Sequence, residues 1–221
     1  MKKIIIPAII AHSPRELYEM INSVKPYAAL IQLDIMDGVF VKNRSIDFDF
    51  VLNEGRTLFE AHLMVSEPEQ WIERIGNRAE SILVHYESCR EPSRVIGLIR
   101  KKECNAGLAI NPETPLLAIR DYLADIDQVL VMTVDPGFYG SPFMPDTAQK
   151  VQELRSLFPT MDIEVDGGIN PETIGIMDRA GANKFVSGTY IMKSNNIKNA
   201  VRQLQDRIKN RNHRALKEDS S

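Results

Sequence analysis

Eight short apolar runs alternate with amphipathic segments along the 221 residues, a pattern that predicts an α/β protein folded as a single (β/α)8 TIM barrel. Most of these runs are almost continuously apolar, as parallel strands are when both faces of the sheet are covered. No Gly-x-Gly-x-x-Gly follows the first run, which disfavours the alternative, an open doubly wound sheet. The predicted strands are residues 3–9, 28–34, 57–64, 81–85, 106–110, 128–133, 162–166 and 184–187.

Helix start signals lie between the predicted strands. Ser13-Pro14-Arg15-Glu16 combines an N-capping serine with proline at the first helical position, and Ser66-Glu67-Pro68-Glu69 and Asn170-Pro171-Glu172 offer similar signals. Another helix is predicted to open through the turn Asn111-Pro112-Glu113-Thr114-Pro115. The closing helix is predicted over residues 196–210, with a row of aliphatic residues on one face. The eight strands are therefore expected to alternate with about eight helices.

Composition and charge are those of a globular domain. Hydrophobic residues make up 43% of the chain, which argues against global disorder. The net charge of −3 favours neither nucleic acid nor an anionic membrane, and no apolar run reaches the ~18 residues of a membrane span. Residues 193–217 carry eight Lys/Arg and one Asp, which we interpret as a solvated helix face. We predict one barrel domain over residues 1–210, a frayed polar tail over residues 211–221, and two reduced cysteines in the cytoplasm.

Acidic and imidazole side chains stand at the carboxyl ends of the predicted strands, where the active sites of such barrels lie. Asp34 ends the second strand and Asp166 the seventh, so both side chains can point into the mouth of the barrel. Two carboxylates that face each other suit removal of a proton on one side of a substrate and its return on the other. With His62 they form a plausible ligand set for a divalent cation. Each acid alone could equally be a helix cap or a loop anchor.

Glycine-rich turns follow the last three predicted strands. Asp166-Gly167-Gly168 and Ser187-Gly188-Thr189 follow strands seven and eight, where backbone N–H groups can approach a phosphate closely. The loop Asp135-Pro136-Gly137-Phe138-Tyr139-Gly140-Ser141 follows strand six and is either a tight turn or a segment that closes over the substrate. These turns predict a phosphate-binding end of the site.

The motifs at these strand ends resemble those of the ribulose-phosphate 3-epimerase family, ribulose-phosphate-binding barrels that include allulose-6-phosphate 3-epimerases. The resemblance runs in family order from about residue 5 to residue 192. The segments that carry it are Leu33-Asp34-Ile35-Met36-Asp37-Gly38, His62-Leu63-Met64-Val65, Asn111-Pro112-Glu113-Thr114-Pro115, Met132-Thr133-Val134-Asp135-Pro136-Gly137-Phe138, Val165-Asp166-Gly167-Gly168-Ile169 and Ala180-Gly181-Ala182-Asn183.

The resemblance implies one divalent metal ion (zinc, iron, manganese or cobalt) held by two histidines and two aspartates. Asp34, His62 and Asp166 match three of these ligands, and the two aspartates would also be the acid and the base. Gln32 stands where the family has its first metal histidine, and its amide oxygen is expected to be a weaker ligand. The predicted substrate and phosphate contacts are Met36, Met64, Met132, Gly137, Gly140, Ser141, Gly167, Gly168, Gly188 and Thr189.

The leading hypothesis is a metal-dependent 3-epimerase that acts on ribulose 5-phosphate and xylulose 5-phosphate, or on a hexulose 6-phosphate, by two-aspartate proton transfer through an enediolate. Gln32, with Ala8 and Ala11 where the family has serines, motivates an alternative: a non-catalytic sugar-phosphate-binding pseudoenzyme with an impaired metal site. A third reading is a lyase or synthase on sugar phosphates. We expect a cytoplasmic homo-oligomer that binds a small sugar phosphate, and neither nucleic acid nor membrane.

Overall fold

Nine strands join into one sheet in the computed structural model, which describes residues 1–52, 57–138 and 140–218, with side chains as far as residue 209. Eight of them run parallel and close into a barrel, because the first strand pairs with both the second and the last. The strands are β1 (Ile4–Ile9), β2 (Leu30–Asp37), β3 (Arg44–Ser45), β4 (Leu58–Met64), β5 (Ser81–His85), β6 (Asn105–Ile110), β7 (Gln128–Met132), β8 (Asp162–Asp166) and β9 (Lys184–Ser187). The predicted (β/α)8 barrel is confirmed.

Parallel pairing places the predicted site residues at one level of the barrel. Asp34 of β2 pairs in register with His62 of β4, and Met36 pairs with Met64 two residues further along. In another part of the barrel wall, Asp166 of β8 is in register with Met132 of β7. The carboxyl ends of these strands therefore present their side chains to a common space.

Seven α-helices accompany the strands in the described part of the chain, and the first, the second and the last begin at predicted positions. Ser13 caps the first helix, since its hydroxyl accepts the N–H of Glu16 at 3.2 Å. Pro68 and Pro92 each open a helix at its first turn. The helices are α1 (Pro14–Val24), α2 (Pro68–Ile75), α3 (Pro92–Lys101), α4 (Ala148–Leu157), α5 (Ile174–Ala180), α6 (Thr189–Met192) and α7 (Ile197–Glu218).

Two of the connections differ from the predicted helices. After β2 the chain turns back, because the Asp37 carboxylate accepts the N–H groups of Val39 and Phe40, and it returns as β3 antiparallel to β2. The described part of this connection contains no α-helix. After β6 the helix Leu116–Tyr122 is of the 3-10 type, preceded by a turn whose prolines lack N–H groups for an α-helical ladder. The expectation of a helix in each unit is wrong for the described part of the connection after β2, whereas the helix predicted after β6 is present in the 3-10 form.

The last helix is longer than predicted. It continues beyond the predicted end at Asn210 to Glu218, so the backbone of residues 211–218 is helical where the sequence predicts a frayed tail. The division into a barrel domain and a tail stays a prediction. Among the described residues, no helix combines the length and the apolar character that crossing a bilayer requires.

The packed interior lies in two layers. Outside the barrel, strand residues such as Leu33 pack with helix residues such as Leu17, and both are almost completely buried. Inside, apolar side chains such as Leu130 fill the middle of the barrel. The inner face also carries fully buried acids, Glu60 of β4 and Glu164 of β8. The barrel is thus a filled core whose polar side chains lie near and below its mouth.

Candidate active site

A cavity of about 350 Å³ opens at the carboxyl ends of the barrel strands. Asp34 and Asp166 line it, and Ala8 lines it as well, whereas Ala11 is buried in the outer core. All ten predicted substrate and phosphate positions lie on its wall: Met36, Met64, Met132, Gly137, Gly140, Ser141, Gly167, Gly168, Gly188 and Thr189. The fold therefore gathers them around one space, while their contact with a substrate stays a prediction.

The predicted ligand set converges below this cavity. One potential ligand atom from each of Asp34, His62 and Asp166 lies within 4.8 Å of the others. The Nδ1 atom of His62 is 3.2 Å from Asp34 Oδ1 and 3.4 Å from Asp166 Oδ2. The His62 side chain is fully buried, and those of Asp34 and Asp166 are 8% and 14% exposed. Two carboxylates and one imidazole at this spacing are a donor set that fits a divalent cation.

The Gln32 side chain reaches the same point from β2. Its Nε2 donates to Asp34 Oδ1 and to Asp166 Oδ2, each at 2.8 Å, and lies 3.3 Å from His62 Nδ1. Its Oε1 is buried and has no hydrogen-bond partner among the described residues. The predicted ligand atom was this oxygen, but the structure places the nitrogen between the two carboxylates. Rotation of the amide by half a turn would exchange the two atoms.

Burial and mutual contact set the charges of these groups. Burial raises the pKa of Asp34, and the neighbouring Asp166 carboxylate raises it further, against the hydrogen bond from His62. Burial alone would lower the pKa of His62, but its hydrogen bonds to Asp166 and Asp34 outweigh that effect and raise it to about 9. These hydrogen bonds therefore favour the protonated form of the imidazole.

The turn after β8 is fixed by close packing. Gly167 and Gly168 have positive φ angles of 117° and 62°, and a Cβ on Gly167 would lie 2.4 Å from a methyl group of Val134. The Thr133 hydroxyl donates to the carbonyl oxygens of Asp166 and Gly167. The positive φ angles and the close contacts explain why glycine stands at these two positions. The hydrogen bonds from Thr133 hold the turn in one place beside the cavity.

The loop after β7 contributes a second wall. Gly137 has a φ of 108°, and a Cβ at this residue would lie 2.8 Å from the Cβ of Val41. Phe138 is 55% exposed, and Gly140 and Ser141 face the cavity. Tyr139, which belongs to the predicted loop, lies outside the described residues. Closure of this loop over a substrate stays a prediction.

His85 and Glu87 were not among the site residues predicted from the sequence. His85 ends β5 fully buried, and its Nε2 lies 2.9 Å from Nε2 of His62. Burial lowers the pKa of His85 to about 4. Burial alone would raise the pKa of Glu87. Its hydrogen bonds, first from His85 and then from Thr114 and Asn111, outweigh this effect and lower the pKa to about 2. The signal available in the sequence was a histidine at a strand end, followed two residues later by an acid.

Sequence comparison identifies the family of this barrel. Residues 4–192 match the sequence profile of the ribulose-phosphate 3 epimerase family. The chain belongs to this family. The ribulose-phosphate 3-epimerase of Eremothecium gossypii is 34% identical over 228 residues, covering 95% of this chain and 94% of that protein. The ribulose-phosphate 3-epimerase of Bacillus subtilis is 34% identical over 212 residues, covering 91% and 97%.

The barrel of this epimerase-family chain also resembles solved structures outside the family. The 3-keto-L-gulonate-6-phosphate decarboxylase from Vibrio cholerae gives a TM-score of 0.72 at 14% identity and covers 94% of this chain and 98% of that one. At this identity the likeness concerns the fold alone. The family membership read from the motifs is confirmed, and the fold agrees with it.

Proposed function

We propose that this member of the epimerase family is a metal-dependent 3-epimerase of a ketose phosphate, either ribulose 5-phosphate and xylulose 5-phosphate or a hexulose 6-phosphate. One observation carries the proposal. Asp34 and Asp166 reach one point from β2 and β8, which are separated in the barrel wall by β1 and β9, and both line the same cavity. Relatives that bear the name ribulose-phosphate 3-epimerase support the substrate class.

The metal is assigned to Asp34, His62 and Asp166, because their donor atoms converge and match the chemistry of a divalent cation. Such a cation, when bound, supplies stabilisation of the negative charge that develops on the substrate oxygen. Gln32 is the candidate fourth ligand through Oε1, the buried atom that has no partner in the described part of the chain. A set of two carboxylates, an amide oxygen and one imidazole is richer in oxygen than the set with two histidines. The set with Gln32 therefore favours manganese or magnesium more strongly than a set with two histidines does.

The two aspartates move the proton. One carboxylate removes the proton at C3 of the ketose phosphate, which leaves an enediolate, and the opposite carboxylic acid protonates the other face of the same carbon. The product then differs from the substrate only in configuration at C3. Burial, followed by the charge of Asp166, raises the pKa of Asp34, so that one member of the pair can be an acid while the other is a base.

An apolar wall beside the reacting carbon supports this chemistry. Met36, Met64 and Met132 line the cavity next to the aspartates, and all three are at least 97% buried. Thioethers offer weak acceptors and no acidic proton. A site walled in this way excludes water, so that the enediolate is protonated by a carboxyl group rather than by solvent.

The phosphate is assigned to the turns after β8 and β9. Gly167, Gly168, Gly188 and Thr189 border the same cavity as the aspartates, and the first two have positive φ angles. Backbone N–H groups are suited to phosphate oxygens where no side chain keeps them apart. A sugar phosphate anchored there extends toward Asp34 and Asp166.

The direct test is incubation of the protein with ribulose 5-phosphate in D₂O, with zinc, iron(II), manganese or cobalt added in turn and C3 observed by NMR. We expect xylulose 5-phosphate carrying deuterium at C3 with at least one metal, and no conversion after chelation. A hexulose 6-phosphate in the same assay assigns the chain length. If neither ketose phosphate exchanged its C3 proton with any of the four metals, the proposal would be refuted.

A non-catalytic sugar-phosphate binder is the second candidate, and Gln32 is the observation that favours it. The amide donates to both aspartates at once and so ties together the two groups that the reaction requires to be free. Binding of a ketose phosphate, measured by calorimetry, without exchange of its C3 proton would support this candidate. Turnover with any of the four metals would eliminate it.

A further inference from the structure

Both ring nitrogens of His62 have defined neighbours. Nδ1 faces Asp34 Oδ1 and Asp166 Oδ2, at 3.2 Å and 3.4 Å. Nε2 points away from them and lies 2.9 Å from Nε2 of His85. Two ring nitrogens at this distance share one hydrogen, so one of them donates and the other accepts.

The second nitrogen of His85 settles which one donates. Its Nδ1 lies 3.3 Å from Oε2 of Glu87, and the other carboxylate oxygen of Glu87 accepts the Asn111 N–H at 2.8 Å and the Thr114 hydroxyl. An ionised carboxylate only accepts hydrogen bonds, so the hydrogen between His85 and Glu87 belongs to His85 Nδ1. His85 Nε2 is then the acceptor, and His62 Nε2 carries the hydrogen.

We propose that Glu87 and His85 are positioning residues that fix Nδ1 of His62 as its metal-binding atom. With Nε2 committed as a donor to His85, the lone pair of a neutral His62 lies on Nδ1, the nitrogen that faces the two aspartates. A carboxylate two hydrogen bonds away also increases the basicity of the ligand nitrogen. The assignment rests on the metal site of the proposed function and deepens it.

The hydrogen bonds that run from Glu87 through His85 to His62 form a relay. Its Glu87 end is tied to the loop after β6. Besides the two bonds from Asn111 and Thr114 to Glu87, the ammonium group of Lys150 on α4 donates to the carbonyl oxygens of Asn111, Pro112 and Thr114. These bonds give a role to the segment Asn111–Pro115, one of the segments that carry the resemblance to the family. The loop holds Glu87, Glu87 orients His85, and His85 orients His62.

Two pairs of variants separate this role from simple packing. His85→Phe removes the acceptor for His62 Nε2 but keeps a ring, whereas His85→Gln can accept from His62 with its oxygen and donate to Glu87 with its nitrogen. Glu87→Gln can turn an NH₂ group toward His85 and so reverse the hydrogen bonds of the relay. Glu113→Gln is the matched control, because it removes an exposed carboxylate from the same loop.

The first readout is zinc affinity, measured by competition with a chelator at fixed pH. We expect His85→Phe and Glu87→Gln to lose roughly 10–100-fold, as changes beside metal ligands commonly do. Glu113→Gln should match the wild type, and His85→Gln should recover most of the loss caused by His85→Phe. Unchanged zinc affinity in both His85→Phe and Glu87→Gln would overturn the proposal.

The second readout is the tautomer of His62, from long-range ¹H–¹⁵N NMR spectra of protein labelled at histidine. In the wild type we expect Nε2 of His62 to carry a hydrogen-bonded proton with or without zinc, and Nδ1 to shift when zinc binds. Zinc bound at Nε2 would contradict the relay. If the wild-type protein binds no zinc, loss of the Nε2 proton signal in His85→Phe would still support the hydrogen bond between His62 and His85, and the failure would lie with the zinc site of the proposed function alone.

Discussion

The amide nitrogen of Gln32 lies 2.8 Å from an oxygen of Asp34 and 2.8 Å from one of Asp166, the same oxygens that a cation would bind. A cation and this NH₂ group therefore compete for one position. Under the proposed function, metal binding would require the amide to rotate, which would break both hydrogen bonds and bring Oε1 inward. The cost of that rotation would lower the affinity of the wild-type site below that of a site with a second imidazole.

Replacing Gln32 by histidine should therefore strengthen the site. We expect Gln32→His to raise zinc affinity about 10–100-fold, by analogy with other changes around metal sites, and to raise manganese affinity less. Calorimetric titration of both proteins with zinc and manganese measures this. Gln32→Leu is the control, since it removes the competing NH₂ group without adding a ligand. Undetectable binding in both wild type and Gln32→His would end the metal-site interpretation.

His62 adds a pH dependence to the same equilibrium. Against the effect of burial, hydrogen bonds to Asp166 and Asp34 raise its pKa to about 9, so below that pH a cation has to displace a proton from Nδ1. The apparent zinc affinity should increase about tenfold for each pH unit from 6.5 toward 9 and then level off. Chelator competition at pH 6.5, 7.5 and 8.5, corrected for protonation of the chelator, checks it. A pH-independent affinity would show that His62 is neutral in the metal-free protein.

At the scale of the elements, β4, β8 and β9 place a second polar group inside the barrel. Glu60 and Glu164 are completely buried, and neither Oε atom of Glu164 has a hydrogen-bond partner among the described residues. Burial raises the pKa of both carboxyl groups, the charge of Glu60 adds to this effect at Glu164, and Lys184 opposes it. When one of the two acids keeps its proton, the remaining negative charge is opposed by the ammonium group of Lys184, whereas two ionised carboxylates would leave an unbalanced negative charge.

A carboxyl group whose pKa is higher in the folded than in the unfolded protein stabilises the fold at low pH. This stabilisation is fully present at pH values below the pKa in the unfolded protein, which is 4.5 for Glu164. That contribution is lost as the pH rises through the folded pKa. The free energy of unfolding of Glu164→Gln, measured with urea and compared with that of the wild type, should therefore be higher at pH 8 than at pH 4. The exposed Glu153→Gln is the control. A difference between wild type and Glu164→Gln that does not change with pH would contradict this account.

The elements also show what the sequence could and could not predict. Asp34, His62 and Asp166 were predictable because parallel strands end at one edge and alternate side chains share a face. The orientation of the Gln32 amide was not, since it depends on contact with Asp166, which is 134 residues away in the chain. The contact between His62 and His85 likewise depends on how adjacent strands of the closed barrel are staggered. The antiparallel β3 replaced a predicted helix because side-chain hydrogen bonds of Asp37 turn the chain.

At the scale of the whole molecule, the closing helix completes the outer layer of the barrel. Its apolar row includes Val201, Leu204 and Ile208, all at least 96% buried, and α7 packs against α1 and α5. Removing residues 212–221, which follow this row, should leave both the unfolding midpoint and the activity unchanged. Ile208→Ala, the control inside the row, should lower the free energy of unfolding by about 2–5 kcal/mol. Loss of activity or of nucleic-acid retention after the deletion would contradict the interpretation of this segment as a solvated face.

Assembly into a homo-oligomer and a cytoplasmic location remain predictions from the sequence.

In the proposed mechanism, Asp34 and Asp166 serve opposite faces of one carbon. Asp34→Asn and Asp166→Asn each keep an oxygen that can bind the metal but lose one acid–base group. Saturating metal and measured metal content therefore separate the loss of proton transfer from the loss of binding.

The measurement is exchange of the C3 hydrogen of ribulose 5-phosphate and of xylulose 5-phosphate in D₂O by these two variants. We expect each variant to epimerise about 10²–10⁴-fold more slowly than the wild type, because one general acid–base group is missing. Each should still exchange the C3 hydrogen of one epimer, the one whose hydrogen faces the remaining carboxylate, and the two variants should differ in which epimer that is. If both variants exchanged the same epimer, or if either epimerised at the wild-type rate, the two-aspartate account would be wrong.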